Sequence, residues 1–297
     1  MDAVSYVFCT AVTNNLQFSW STQDLQSKIW QKAAQNAAKV VFCNLHICER
    51  LDGNWSYEIK QREKQLTFAE LKEVNRRDLR IGEIWISISP VLNHSSSFEE
   101  IKKIAEYTIP SVHFAKLTLM VIPQNHHFEL LSIYGNSVFA QVEIVDIGLA
   151  GFDFLLQRMQ TKYLKKLDLF LDILEMPTAS KNALMDFALS KNCETLLVEH
   201  EQIKFDMDFF EALFEKPINR FYDQQFQLYF SFDFAALKDF KKDLQVSQCD
   251  SFQWLRADHV RVTVMDITYE DDRSSHGPFE VKLSFCWRSK LFGKNSE

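Results

Sequence analysis

Short apolar segments that recur at nearly even spacing place the strongest constraint on what this chain can fold into. Leu164–Leu174 has the pattern of a short strand, and similar segments lie on both sides of it. The centres of the successive segments are Leu119, Ile144, Leu169, Leu197 and Leu228. The steps between centres are 25, 25, 28 and 31 residues, which leaves room for a strand and a helix in each step. The drift in spacing argues against a strict sequence repeat.

Between these segments, apolar residues recur three or four positions apart, which predicts a helix in each interval. The four sets are Phe128, Leu131, Tyr134 and Val138; Phe152, Leu155, Leu156 and Met159; Ala183, Leu184, Phe187 and Ala188; and Phe209, Phe210, Leu213 and Phe214. Alternating strands and helices predict an α/β fold with a parallel sheet and helices along one face. If each unit turns only slightly, the result is a curved, leucine-rich-repeat-like solenoid; a flat doubly wound sheet is the alternative.

The region before this array predicts further elements. Apolar stripes predict two short helices, in residues 2–14 and 24–37, and alternating residues from Val40 to Ile59 predict a hairpin. Thr67 and Ser97 each stand three residues before a glutamate, as in a capping box that opens a helix.

The region after the array predicts a helix from Phe234 to Leu244 and then two long strands. These strands, His259–Tyr269 and Phe279–Trp287, are separated by a polar turn. We expect them to form an antiparallel hairpin that closes the exposed edge of the sheet.

Composition narrows the function classes. The 297 residues include 26 Phe and carry a net charge of −7, so there is no basic footprint for nucleic acid or an anionic membrane, and basic protein partners are mildly favoured. No apolar run approaches the roughly 18 residues of a membrane span, and no signal-like N-terminus is present, which predicts a cytoplasmic or nuclear protein. Seven glycines form no phosphate-binding motif, and we expect no cofactor.

Candidate chemical groups are sparse. Cys43, His46 and Cys48 lack the spacing of a zinc site and are interpreted as strand residues. His126 and His127 are interpreted as a solvated helix N-terminus, and Cys193 with His200 lacks an orienting third group. The acidic residues 270–272 are interpreted as a solvated turn. The sequence therefore predicts neither a metal site nor an enzyme, although an enzyme with an unrecognised site stays an alternative.

One pattern suggests a binding surface. Three strand-centred pairs, polar then apolar, repeat every 25 residues: Thr118 and Met120, Glu143 and Val145, and Asp168 and Phe170. If helices cover one face only, this row lies on the open concave face, which solenoid proteins use for recognition. The alternative is that Met120, Val145 and Phe170 form a second apolar core under further helices.

Four segments, Met1–Val12, Ile29–Ala34, Asp52–Tyr57 and Phe68–Val74, resemble a large family of nematode proteins. That family joins an F-box-like N-terminal segment to an F-box-associated strand–helix region. The resemblance implies an F-box-like segment at 1–48 and a leucine-rich-repeat-like α/β domain at 49–297.

The same resemblance implies a protein-interaction role as a substrate adaptor of a Skp1–cullin ubiquitin ligase. The residues expected to contact a Skp1-type partner are Val4, Phe8, Leu25, Ile29 and Trp30. Val4-Ser5 stands where a typical F-box has Leu-Pro, so a partner-binding scaffold without Skp1 binding is the alternative.

Overall fold

The computed structural model describes most of the chain and divides it into two compact units. The described residues are 27–37, 39–88, 94–120, 125–145, 152–170, 176–199, 203–217, 224–231, 234–247, 251–256, 260–266 and 279–287. The first unit comprises residues up to Trp85 together with Ser89–His113, and the second comprises Ile86–Ile88 and Phe114–Glu297. The predicted boundary between residues 48 and 49 falls within a strand of the first unit.

The first unit combines antiparallel strands with short helices. Its elements in chain order are α1 (Lys28–Ala37), β1 (Val41–Glu49), β2 (Trp55–Gln61), β3 (Lys64–Leu66), α2 (Phe68–Glu73), β4 (Leu79–Ile88, whose last three residues belong to the second unit), β5 (His94–Ser96) and α3 (Phe98–Thr108), the last followed by a 3-10 turn at Ile109–Ser111. The predicted hairpin is confirmed, because β1 and β2 pair antiparallel with Leu45 opposite Ile59. β3 and β5 also pair antiparallel with β2, and β4 lies beside β1.

Of the two predicted capping boxes in the first unit, that of Thr67 is complete and that of Ser97 forms only the bond from the cap side chain. Thr67 forms a complete capping box with Glu70 at the start of α2. Ser97 accepts a hydrogen bond from the backbone N–H of Glu100 at the start of α3, while the Glu100 carboxylate accepts one from Ser96 Oγ at 2.7 Å. Local sequence therefore sets where these helices begin.

The second unit is a mixed α/β structure built on a large sheet. Its elements are β6 (Val112–Met120, whose first two residues belong to the first unit), α4 (Asn125–Ile133), β7 (Val138–Val145), α5 (Phe152–Met159), β8 (Lys166–Phe170), α6 (Thr178–Leu189), β9 (Thr195–Glu199), β10 (Lys204–Phe205), α7 (Met207–Glu215), β11 (Gln224–Phe230), α8 (Phe234–Asp239), a 3-10 turn (Lys242–Leu244), β12 (Gln245–Ser247), β13 (Ser251–Leu255), β14 (Val260–Asp266) and β15 (Phe279–Trp287). The strand order is β6-β7-β8-β9-β11-β15-β14-β13-β12, with β10 beside β11.

The predicted strand–helix alternation and parallel pairing are confirmed. Strands β7, β8, β9 and β11 are parallel neighbours, and their buried residues belong to one apolar core. The helices between them begin and end near the predicted positions, with one exception. Val138 opens β7 rather than extending α4, because a turn closes at Gly135, whose N–H donates to the Ser132 carbonyl oxygen at 2.9 Å.

Two predictions near the C-terminus are wrong in part. The expected helix from Phe234 to Leu244 ends at Asp239, and Lys241 takes a left-handed backbone conformation (φ 40°) before the 3-10 turn. The last two strands do pair antiparallel, but β15 lies between β11 and β14, so their hairpin is inside the sheet. In the described part of this unit, the short strand β12 forms that edge instead.

Candidate functional site: the open face of the second unit

A continuous row of polar residues crosses seven strands of the second unit in register. Its members, from β7 to β13, are Gln141, Lys166, Thr195, Gln225, Ser284, Thr263 and Gln253. One residue further along, apolar residues occupy the matching positions: Val142, Leu167, Leu196, Phe226, Leu283, Val264 and Phe252. Since successive side chains of a strand point to opposite faces, the polar row marks one face of β7, β8, β9 and β11 and the apolar row marks the other.

Helix α7 packs on the apolar face. Phe210 of α7 packs edge-on against Phe230 of β11, with ring centroids 5.8 Å apart. Phe226 lies four residues earlier on the same face of the strand. The ammonium group of Lys216 lies 4.9 Å from the centroid of its ring. Both phenylalanines of β11 are fully buried. We call the opposite, polar side of β7, β8, β9 and β11 the open face, and its polar row is half-buried or exposed throughout.

The predicted recognition row lies on strands that contribute to this face. Glu143 and Asp168 are register partners on β7 and β8, and so are Val145 and Phe170. All four are half-buried. These pairs are therefore side by side and accessible, and their role in partner binding stays a prediction.

The two residues of the third predicted pair differ in exposure. Thr118 and Met120 both lie on β6, but Thr118 is 3% exposed whereas Met120 is 41% exposed. Only Met120 of this pair presents a large accessible side chain. Apolar residues of the row are thus neither fully buried under a second layer nor fully solvated.

The carboxylates of Glu143 and Asp168 on the open face have different partners. Lys116 Nζ lies 2.5 Å from Glu143 Oε2, so the carboxylate on β7 has a cationic partner. Asp168 instead accepts a hydrogen bond from Gln141 Nε2 at 3.3 Å, and within the described residues it forms no ion pair. Burial, reinforced by the nearby charge of Glu143, raises the pKa of Asp168, while Gln141, Lys116 and Lys166 act in the opposite direction.

Sequence reasoning missed several residues of this face. Leu197 was predicted to be a strand centre equivalent to Leu169, which is wrong: Leu169 pairs with Val198, so Leu197 lies beside Asp168 on the open face. Glu199, which pairs with Phe170, was not predicted. Thr195 and Gln225 on this face, and Lys116 beside it on β6, were also not predicted. Their signal was present as strict alternation within each strand, but strand register, which places them side by side, cannot be read from one sequence.

The residues expected to bind a Skp1-type partner are only partly described. Val4, Phe8 and Leu25 lie outside the described residues. Ile29 and Trp30 lie on α1 and are half-buried, while Ala33 and Ala34 on the same helix are buried. The part of this set that can be placed therefore retains accessible apolar surface.

Cys43, His46 and Cys48, which were considered for a zinc site, all lie on β1 as expected. His46 stacks on Trp85 with ring centroids 4.8 Å apart, and the thiols of Cys43 and Cys48 are buried. No cluster of His, Cys, Asp or Glu suited to a metal ion occurs among the described residues. His126 is exposed as expected, but the expectation for His127 is wrong, since it is buried in α4.

Cys193 is also buried, and burial raises the pKa of its thiol to about 12, which leaves it protonated at neutral pH. His200 and residues 270–272 lie outside the described residues.

Among the helices that the structure describes, none combines the length and apolar character needed to cross a membrane. No protein-family model, curated protein sequence or solved structure matches this chain.

Proposed function

We propose that this chain is a non-enzymatic protein-interaction module that binds a partner across the open face of its second unit. The observation that carries the proposal is the polar row in register across seven strands, opposite a face that packs against helices. Accessible amide, hydroxyl and ammonium groups at strand spacing, about 4.8 Å apart, suit an extended polypeptide laid across the strands.

The strand–helix array supports a finer proposal, a solenoid-like arrangement in which the open face is concave. Adjacent helices contact each other in the order of the chain, α5 with α6 and α6 with α7, as successive units of a solenoid do. In such proteins the unit interfaces supply stability, so the concave residues are free to vary for recognition.

A site-specific photo-crosslinker tests the open face directly. We would place it at Gln225 on the open face and, as a control, at Asp186, which is exposed on α6. The proposal expects a discrete protein adduct from Gln225 only. The crosslinked protein, once identified and purified, should bind the wild type but not a Thr195→Arg variant, while Asp186→Arg binds normally. Adducts from Asp186 alone, or binding unaffected by Thr195→Arg, would contradict it.

We propose further that the N-terminal segment makes this module a ubiquitin-ligase adaptor. The support is the resemblance to F-box-like nematode proteins and the half-buried Ile29 and Trp30 on α1. Co-purification of tagged protein with a Skp1-type partner tests it, comparing wild type with Trp30→Ala and Phe8→Asp after circular dichroism confirms folding. Lys28→Ala, an exposed change on α1, is the control.

Capture by wild type and Lys28→Ala but not by the other two variants would support the adaptor role. No capture by wild type would leave the open-face module without Skp1 binding. The two proposals therefore fail independently.

A further inference from the structure

Four residues on β8 and β9 form a square in which carboxylates and apolar side chains alternate. Asp168 pairs in register with Leu197, and Phe170 pairs with Glu199. The strands are about 4.8 Å apart and the two rows about 6.6 Å apart, so the four side chains share one patch of the open face. We call these four residues the β8–β9 square.

All four side chains of the square are at least partly accessible. Asp168, Phe170 and Leu197 are half-buried, and Glu199 is exposed. Phe170 and Leu197 lie on one diagonal and the two carboxylates on the other. A long side chain placed over the square would therefore meet apolar surface along its stem and carboxylates beside its end.

The two carboxylates of the square differ from that of Glu143, which pairs with Lys116, in forming no ion pair with a described residue. Among the described residues, neither Asp168 nor Glu199 forms an ion pair, and Asp168 has only the neutral amide of Gln141 as a hydrogen-bond donor. Lys116, the closest competing cation on β6, is held by Glu143. Lys166 is exposed and has the smallest of the effects on Asp168. Burial and then the charge of Glu143 raise the pKa of Asp168, and the charges of Lys116 and Lys166 offset this only in part.

We propose that the β8–β9 square binds an arginine or lysine side chain of an extended partner segment. The aliphatic stem packs on Leu197 and Phe170, the cation lies against the Phe170 ring, and its N–H groups donate to Asp168 and Glu199. This inference rests on the proposed function, because it assigns a chemical class to the partner of the same face. It also agrees with the net charge of −7.

A phage-displayed library of random linear 12-residue peptides, selected on the purified full-length protein, tests the inference. We expect enriched peptides to carry arginine or lysine next to a bulky apolar residue. Synthetic versions should lose about tenfold or more in affinity when that basic residue becomes alanine, and a similar amount when the protein carries Asp168→Asn. Glu199→Gln should weaken binding less, and Asp168→Lys should reverse the charge preference. Asp186→Asn, the same change on α6, is the matched control.

The outcomes distinguish failure of the basic-residue inference from failure of the proposed function. Peptides without basic residues, or binding unchanged by Asp168→Asn, overturn the basic-residue inference. If Thr195→Arg nevertheless abolishes the binding of such peptides, the open face still binds a partner and the proposed function stands. Peptide binding that survives both Asp168→Asn and Thr195→Arg counts against both the basic-residue inference and the proposed function. A selection that enriches no sequence overturns the inference for a linear segment, while crosslinking at Gln225 decides the proposed function.

Discussion

The ammonium group of Lys216 lies 2.6 Å from the carbonyl oxygen of Ala188, so the residue after α7 closes the C-terminal end of α6. The same ammonium group donates to the Cys193 carbonyl oxygen at 3.2 Å. Lys216 is 3% exposed, and burial lowers its pKa to about 8. Because the last carbonyl groups of a helix have no partner within it, a buried cation there satisfies acceptors that would otherwise be stranded.

The same device recurs along the second unit. Arg158, at the end of α5, donates to the carbonyl oxygens of Gly135 and Ser137, which follow α4. Arg256, after β13, donates to the carbonyl oxygen of Phe214 at the end of α7 at 2.5 Å. In each case a cation from a later segment closes an earlier helix. These bonds connect parts of the chain that are more than 20 residues apart.

Replacing Lys216 with methionine should therefore destabilise the protein. The change keeps most of the unbranched side chain but leaves two buried carbonyl oxygens without their donor, and we expect the free energy of unfolding to fall by about 1–3 kcal/mol. Urea unfolding followed by circular dichroism measures it. Lys191→Met, at an exposed position close to the same turn, should change little. A variant as stable as wild type would mean that burying the ammonium group costs as much as its bonds return.

Loss of the Thr67 cap should have a smaller, local effect. Thr67 Oγ1 accepts from the Glu70 N–H at 3.2 Å, and Glu70 accepts from the Thr67 N–H at 2.7 Å. Thr67→Ala removes the first bond, and we expect a loss of about 1 kcal/mol, while Thr67→Ser should retain most of the stability. Thermal unfolding of the three proteins gives the comparison. Equal losses for alanine and serine would show that the Thr67 methyl group, rather than the cap, matters.

What could be predicted from this sequence depended on local patterns. Thr67 and Ser97 announce helix starts because a cap and its glutamate are only three residues apart. The strands around Ile144 and Leu169 could be located because burial on one face forces alternation within a few residues. Parallel pairing followed from the helix that each interval must hold.

The rest depended on contacts between distant residues. The position of β15 between β11 and β14 reflects pairing over tens of residues, and nothing local distinguishes it from an edge strand. Glu199 became a candidate only when register placed it beside Phe170. Lys216 could not be recognised as a helix cap, since its partner helix ends 27 residues earlier. His127 was misjudged because a histidine at a helix start is usually solvated.

Burial of His127 predicts sensitivity to acid. Its pKa is lowered to about 4, first by burial and then by the charge of His126. The folded state therefore binds this proton only at a lower pH than the unfolded chain does, whose histidine has a pKa near 6.5. The stability contributed by neutral His127 is present above about pH 6.5 and is lost as the pH falls through 4. The full loss is about 3 kcal/mol.

A His127→Leu variant isolates this contribution. Urea unfolding between pH 7 and pH 4 should show a shallower loss of stability than wild type. His126→Gln, which changes the exposed neighbour, should keep the steep wild-type dependence. Parallel pH profiles for wild type and His127→Leu would mean that another group causes the acid sensitivity.

Asp168→Asn should separate stability from binding. The raised pKa of Asp168 means that the fold favours its neutral form, so above that pKa the charge lowers stability. Asparagine removes the charge and keeps an oxygen to accept from Gln141 Nε2, and we expect the midpoint of thermal unfolding at pH 7 to stay equal or rise. Glu143→Gln, which breaks the ion pair with Lys116, should instead lower stability by up to about 1 kcal/mol. If Asp168→Asn destabilised the protein as much as Glu143→Gln, the Asp168 carboxylate would be serving the fold. If the fold disfavours the Asp168 charge, yet its removal weakens peptide binding about tenfold or more, that charge serves ligand binding.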